Sequence, residues 1–300
     1  MKKEFAKGHF LLLSIQFITG LNIPIGKYLL SGWISPVELT LSRILFGTIV
    51  FWIISLFTKN EKIPFKDFAI IALGGVLGIA GTQLSFSWGL TFTTPTNFAL
   101  IVALNPIVVL LMSSIFLKES INKKKIIGVV FGISGAIILI TNVSSGIAAK
   151  NNLAGIGLAV INTIMLSLYL IIIRKTVVKY SPITLLKWMF LFAAIVLLPF
   201  TVNNLPTQKI FSNESNIEVL LLLSFTLIFA TVLNNLLRPY ALRYIKPTIA
   251  SIYINLQPII ASFVAIWLGQ DLFSWDKPLA ALLVISGVLF VTWGSKKEVI

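Results

Sequence analysis

The 300-residue chain is too apolar to cover its own surface with polar groups: 57% of its residues are hydrophobic and 11% charged, where a soluble domain carries about 25% charged residues. Mean hydropathy is +0.97, and the remaining charge is one-sided, 24 Lys and Arg against 10 Asp and Glu for a net +14, with no cysteine. This excludes a soluble enzyme, a disordered tail and a fibrous repeat, and it removes disulfides, thiol nucleophiles and Cys metal sites. Long apolar runs count against an outer-membrane barrel, whose strands alternate.

A bilayer core of roughly 30 Å takes about 20 apolar residues per helix. In chain order, ten segments meet that need: 9–30, 36–57, 68–88, 95–117, 125–141, 153–174, 182–200, 217–239, 247–268 and 278–293. The first is too long for a signal-peptide core and lacks a small-residue cleavage site, so it is read as a retained helix. The expected fold is therefore an all-α polytopic membrane protein.

The connecting segments sort by charge. With the N-terminus inside, alternate segments carry Lys2, Lys3 and Lys7, then Lys59, Lys62 and Lys66, then Lys118, Lys123, Lys124 and Lys125. They continue with Arg174, Lys175 and Lys179, with Arg238, Arg243 and Lys246, and with Lys296 and Lys297, 18 in all. The other side holds Lys150, Lys209 and Lys277. That bias predicts both termini in the cytoplasm. Most of the +14 is then topology, and nucleic acid is not expected as a partner.

The chain also repeats itself. At an offset of 152 residues, Pro95-Thr96 falls on Pro247-Thr248, Asn105-Pro106 on Gln257-Pro258, Glu119 on Asp271 and Ser134-Gly135 on Ser286-Gly287. Two units of five helices, 1–146 and 147–300, must lie inverted to one another because five is odd. Inverted repeats are the architecture of alternating-access transporters, with the substrate site between the units. The longest connection, 201–216, is too short for a soluble domain.

These residues resemble a known family. A helix with a central Asn105-Pro106 runs into Phe116-Leu117-Lys118-Glu119, and a glycine-spaced helix follows with Gly128, Gly132 and Gly135. The second copy has Gln257-Pro258, Gly269-Gln270-Asp271 and Gly287, and Lys27 and Arg43 stand where the pattern has basic residues. The order resembles the EamA-type domain of the drug/metabolite transporter superfamily. Asp271 replaces the commoner Glu, and Ala280 and Val284 replace Gly128 and Gly132 in the second copy, which predicts looser packing there. The resemblance implies ten transmembrane helices in two inverted five-helix repeats, and export or exchange of small metabolites, often amino acids. A bacterial inner-membrane protein acting as a monomer without a cofactor is expected.

Three cations fall within or at the ends of spans: Lys27, Arg43 and Lys187. Each either draws a substrate carboxylate or phosphate, or reaches the interface and bonds helix-end carbonyls. For Lys27 and Lys187 the second role is favoured; for Arg43 ligand contact and helix packing weigh equally. No acid lies deep in a span and the only histidine, His9, sits at an edge, so neither a buried carboxylate relay nor intramembrane hydrolysis is expected. Uncharged polar residues complete the candidate substrate site: Gln16 and Asn22, Gln83 and Trp88, Asn97 and Asn105, Asn162 and Tyr169, Asn234, and Tyr253 and Gln257. Singly, such amides bond neighbouring helices; together they predict a wet central cavity. The prolines after Asn105 and Gln257 free carbonyls beside it. Glu119 and Asp271 are read as caps of the following helices, and the glycine sets as packing surfaces.

The sequence thus points to a transporter of small polar metabolites, amino acids or related carboxylates first. Phosphorylated or nucleotide-linked sugars are the second transport reading and would need two or more cavity-facing cations. A non-transporting scaffold or lipid-modifying enzyme is the rival of another class.

Overall fold

The computed structural model describes residues 2–117, 122–141, 151–201, 204–212, 215–244 and 253–295. Among these there are ten helical rods and no strand. They are α1 (Lys2–Leu30), α2 (Pro36–Ser55), α3 (Phe65–Phe92), α4 (95–117), α5 (Lys123–Thr141), α6 (Asn152–Ile172), α7 (Pro182–Thr201), α8 (217–244), α9 (Leu256–Trp267) and α10 (Asp276–Ser295). Seven stretches are long and apolar enough to cross a membrane: α1, α2, α3, α6, the first 18 residues each of α4 and α7, and α8 from Ile217 to Leu242. α9 is the shorter apolar helix. Glu119, Lys150 and the Pro247-Thr248 pair lie outside the described residues.

The starts are written in local chemistry. Pro36, Pro95 and Pro182 occupy first turns, where the missing N–H costs nothing. Thr94, Asn151 and Asn216 accept hydrogen bonds from the backbone N–H groups of Asn97, Ala154 and Val219 at 3.3, 3.3 and 2.9 Å.

Two rods are broken where proline removes a donor: α4 at Ala103–Leu104, just before Asn105-Pro106, and the approach to α9 at Ile254–Asn255, just before Gln257-Pro258. Two others carry π-helical turns, Val76–Gly81 in α3 and Thr226–Leu233 in α8. The eighth rod does not stop at Pro239 as its hydropathy suggests but runs on to Tyr244, which carries Arg238 into the helical bundle.

α3 packs against α6, α2 against α7, α1 against α8 and α9, and α5 against α10. One buried cluster joins α2, α3, α6 and α7 through Phe51, Ile71, Tyr169 and Phe190; another joins α1, α3, α4, α6, α9 and α10 through Ile23, Leu90, Phe98 and Ala261. Glycines set these distances: a Cβ on Gly75 would lie 2.3 Å from the Met189 carbonyl oxygen, and one on Gly78 2.1 Å from the Tyr169 ring. The α5–α10 contact is reciprocal. A Cβ on Gly287 would meet the backbone of Gly128 at 2.6 Å and Gly132 at 2.8 Å, and one on Gly135 would meet Ala280 and Val284, both at 2.9 Å. Each of these three positions in α5 lies 152 residues before its counterpart in α10. The larger Ala280 and Val284 therefore do not loosen the pair; they fill the space opposite Gly135.

Beyond the bundle, the connection after α7 folds onto the start of α2. The Ile210 N–H donates to the Trp33 carbonyl at 2.9 Å, Gln208 Oε1 accepts from the Ser35 N–H at 2.9 Å, and Ile210 is buried with Leu29 and Val219. At the start of α3, Asp67 binds both Lys179 and the Tyr180 hydroxyl, and the Asp67 hydrogen bond pushes the Lys179 ammonium pKa up. Asp271 does not cap α10. It accepts from the Leu272 N–H at 2.9 Å and pairs with Lys277 in the first turn of α10, which starts at Asp276.

Gly287→Val should cost about 1–3 kcal/mol through overpacking against fixed backbone, seen as a lower unfolding temperature in detergent. Gly157→Ala, where an added Cβ meets nothing within 4 Å, should not lower it.

Candidate functional site

The two π-helical turns border one space, Gly78 from the first and Ala230 from the second. A π turn inserts a residue and loosens the carbonyl ladder, and here side chains take up the slack. Thr82 Oγ1 donates to the Gly78 carbonyl at 2.6 Å, and Thr231 Oγ1 to the Thr226 carbonyl at 2.8 Å. The polar residues that follow, Thr82-Gln83 and Asn234-Asn235, then point at a cavity of about 100 Å³ bordered also by α1, α2, α4, α6 and α9.

Six of the residues expected from the sequence meet there: Asn22, Arg43, Gln83, Asn162, Asn234 and Gln257. Asn162 donates to the Thr82 carbonyl at 2.6 Å, and Asn234 to Thr19 Oγ1 at 2.9 Å. Gln257 donates to Gln16 Oε1 at 2.5 Å and closes the cavity toward the end of the bundle where the chain begins and ends. Beyond this pair is a space of only about 40 Å³ lined by Leu12, Ile15, Leu170, Leu242 and Ile254. At the opposite end Phe86 and Phe98 meet edge to face, their ring centroids 5.4 Å apart with planes at 90°.

The other expected residues lie elsewhere. Tyr169 packs in the core against Gly78. Asn97 and Asn105 bond α4 to α6, Asn97 through Asn152 at 3.4 Å and Asn105 through Ser167 at 2.9 Å. Tyr253 binds His9 at the terminal end. Trp88 is 38% exposed and stacks on Phe92, away from the cavity.

The cations divide by role. The Lys27 ammonium donates to the carbonyls of Leu90 and Thr93 at 2.6 and 3.0 Å, the end of α3. Lys187 lies over the rings of Trp52 and Trp188 at 5.4 and 5.8 Å. Arg43 is 6% exposed; its Nε–H donates to Thr231 Oγ1 at 2.9 Å and its guanidinium sits 5.5 Å from the Phe86 ring centre. Sequence reasoning missed a second arginine. Arg238, counted among the cytoplasmic charges because Pro239 follows it, lines the same cavity. Its signal was the run Asn234-Asn235-Leu236-Leu237-Arg238, which puts Arg238 one helical turn from Asn234 and Asn235 on one face.

Among the described residues neither guanidinium meets a carboxylate, while Asn22 Oδ1, Gln83 Oε1 and Asn234 Oδ1 are buried acceptors without a hydrogen-bond partner. The cavity thus offers two cations and three amide oxygens to whatever enters it. Lys27→Met should remove the donor from two helix-end carbonyls and cost about 1.5–3 kcal/mol. An unchanged unfolding temperature would argue instead that Lys27 serves a ligand.

Comparison with known proteins follows the same lines. The model of the EamA-like transporter family matches the chain twice, at residues 6–141 and 153–293. "Uncharacterized transporter YyaM" of Bacillus subtilis is 26% identical over 285 residues, covering 94% of this chain and 92% of that protein. A "Probable terminal-alkyne amino-acid exporter" of Streptantibioticus cattleyicolor is 25% identical over 243 residues, covering 78% and 77%. A solved crystal structure superposes with a TM-score of 0.66 over 100% of both chains at 15% identity, which shows a shared fold. With both halves of a helical bundle matched around a polar cavity, the chain belongs to the EamA-like transporter family and is a multi-pass membrane transporter.

Proposed function

We propose that the protein carries small carboxylate-bearing metabolites, amino acids first, across the bacterial plasma membrane by alternating access around this cavity. The observation that carries the reading is Arg43, a buried guanidinium that lines a polar cavity within the helical bundle and, among the described residues, has no carboxylate partner. A cation at a helix centre costs about 2.5–3.5 kcal/mol on an insertion scale and marks a substrate pathway by default. A carboxylate meets it with charge-assisted hydrogen bonds, and the unpartnered amide oxygens suit an ammonium group. The relative named as an amino-acid exporter supports the same substrate class and an outward direction. Two cavity-facing cations also meet the charge requirement of phosphorylated sugars. A cavity of about 100 Å³ is small for them, since drug-sized ligands occupy roughly 300–1,000 Å³.

The two halves are read as inverted units. The α5–α10 contacts exchange with one another under the 152-residue shift, as a two-fold axis in the membrane plane requires. The basic loops support a cytoplasmic side for both termini, and a cavity lined by one chain supports a monomer as the working unit.

Purified protein in liposomes should show counterflow of labelled amino or organic acids, and Arg43→Gln should reduce it by about tenfold or more; unchanged kinetics would make Arg43 a packing residue. The chain is naturally free of cysteine, so topology is directly testable. Lys150→Cys should react with an impermeant maleimide added to cells and Lys66→Cys should not; the reverse would invert the assignment.

A further inference from the structure

Resting on that reading, we propose that Arg43 and Arg238 together make the cavity a two-cation site that selects net-anionic cargo, a dicarboxylate with a donor group on its backbone, acidic amino acids first. The argument is one of charge and valence. A neutral amino acid brings one carboxylate and one ammonium, which leaves the cavity with the same surplus of two positive charges. Within a helical bundle such charges are tolerated when they pair or face water, and like charges sharing a low-dielectric space repel.

The protein supplies little compensation. Arg43 spends its Nε–H on Thr231, which leaves four of its five donors, and its Phe86 contact gives only a weak face-on attraction. Arg238 lines the same cavity and, among the described residues, pairs with no carboxylate. Glu38, the acid nearest Arg43 along α2, forms no ion pair with it. Two guanidiniums on different rods, α2 and α8, suit two carboxylates on one short molecule. The unpartnered oxygens of Asn22, Gln83 and Asn234 accept from the amino or hydroxyl group between those carboxylates. An acidic amino acid then brings one carboxylate for each guanidinium and lowers the surplus from two positive charges to one.

The test uses the full-length chain in detergent, with thermal stabilisation read against L-aspartate, succinate, L-alanine and glucose 6-phosphate at matched ionic strength. Competition for counterflow in liposomes is measured in parallel. Aspartate should bind at least about tenfold more tightly than alanine, the worth of one further charge-assisted hydrogen bond. Succinate, lacking the central donor, should fall between them. Arg238→Gln should erase the aspartate preference while alanine binding falls less, and Arg238→Lys should keep part of it. The wild-type ranking decides the matter even if Arg238→Gln folds poorly. Alanine binding as tightly as aspartate would overturn the two-cation site while leaving the carboxylate reading intact. Preference for glucose 6-phosphate would overturn it in favour of phosphate. No binding by any of the four would overturn both.

Discussion

A bilayer offers no water to a broken backbone, so the chain is helical wherever it faces lipid and can afford irregularity only where the protein itself supplies partners. Among the described residues four such places stand out: the π turns of α3 and α8 and the proline breaks in α4 and before α9. All four border the central cavity or the narrow space beneath it. Thr82 and Thr231 hold the loosened carbonyls of the π turns, and Gln257, next to its proline, pairs with Gln16. The need to satisfy the backbone thus fixes where polar residues gather, and that gathering is the candidate site.

The same need explains how four cations serve three purposes. Lys27 ends on helix-terminal carbonyls and Lys187 over indole faces, both outside the cavity lining. Arg43, held by Thr231 and beside the Phe86 ring, and Arg238 both line the cavity, and among the described residues neither pairs with a carboxylate. Position decides the role: Lys27 sits near the end of α1, within reach of the end of α3, whereas Arg43 and Arg238 line the cavity.

Helices α5 and α10 contribute nothing to the cavity lining. Their tight, reciprocal glycine contact instead braces the bundle beside it. Close approach without side chains between is a strong form of packing in a membrane, where no hydrophobic driving force separates helix from lipid. The paired contacts at Gly135 and Gly287 give both ends of this brace the same geometry.

By itself the sequence determined the class of molecule. Apolar run length dictates spans, loop charge predicts their orientation, and the 152-residue offset pairs Asn105-Pro106 with Gln257-Pro258, the two places where rods break. Six of the twelve candidate site residues line the cavity, because an amide in an apolar helix must face either a neighbour or a wet interior. Only the tertiary structure separated those two cases. Asn97 and Asn105 became ties between α4 and α6, Trp88 turned outward, and Arg238 came into the cavity from what read as a loop. The reason is rotational: a helix's hydropathy records how many polar groups it holds, while the direction they point depends on π turns, breaks and neighbours far away in the chain.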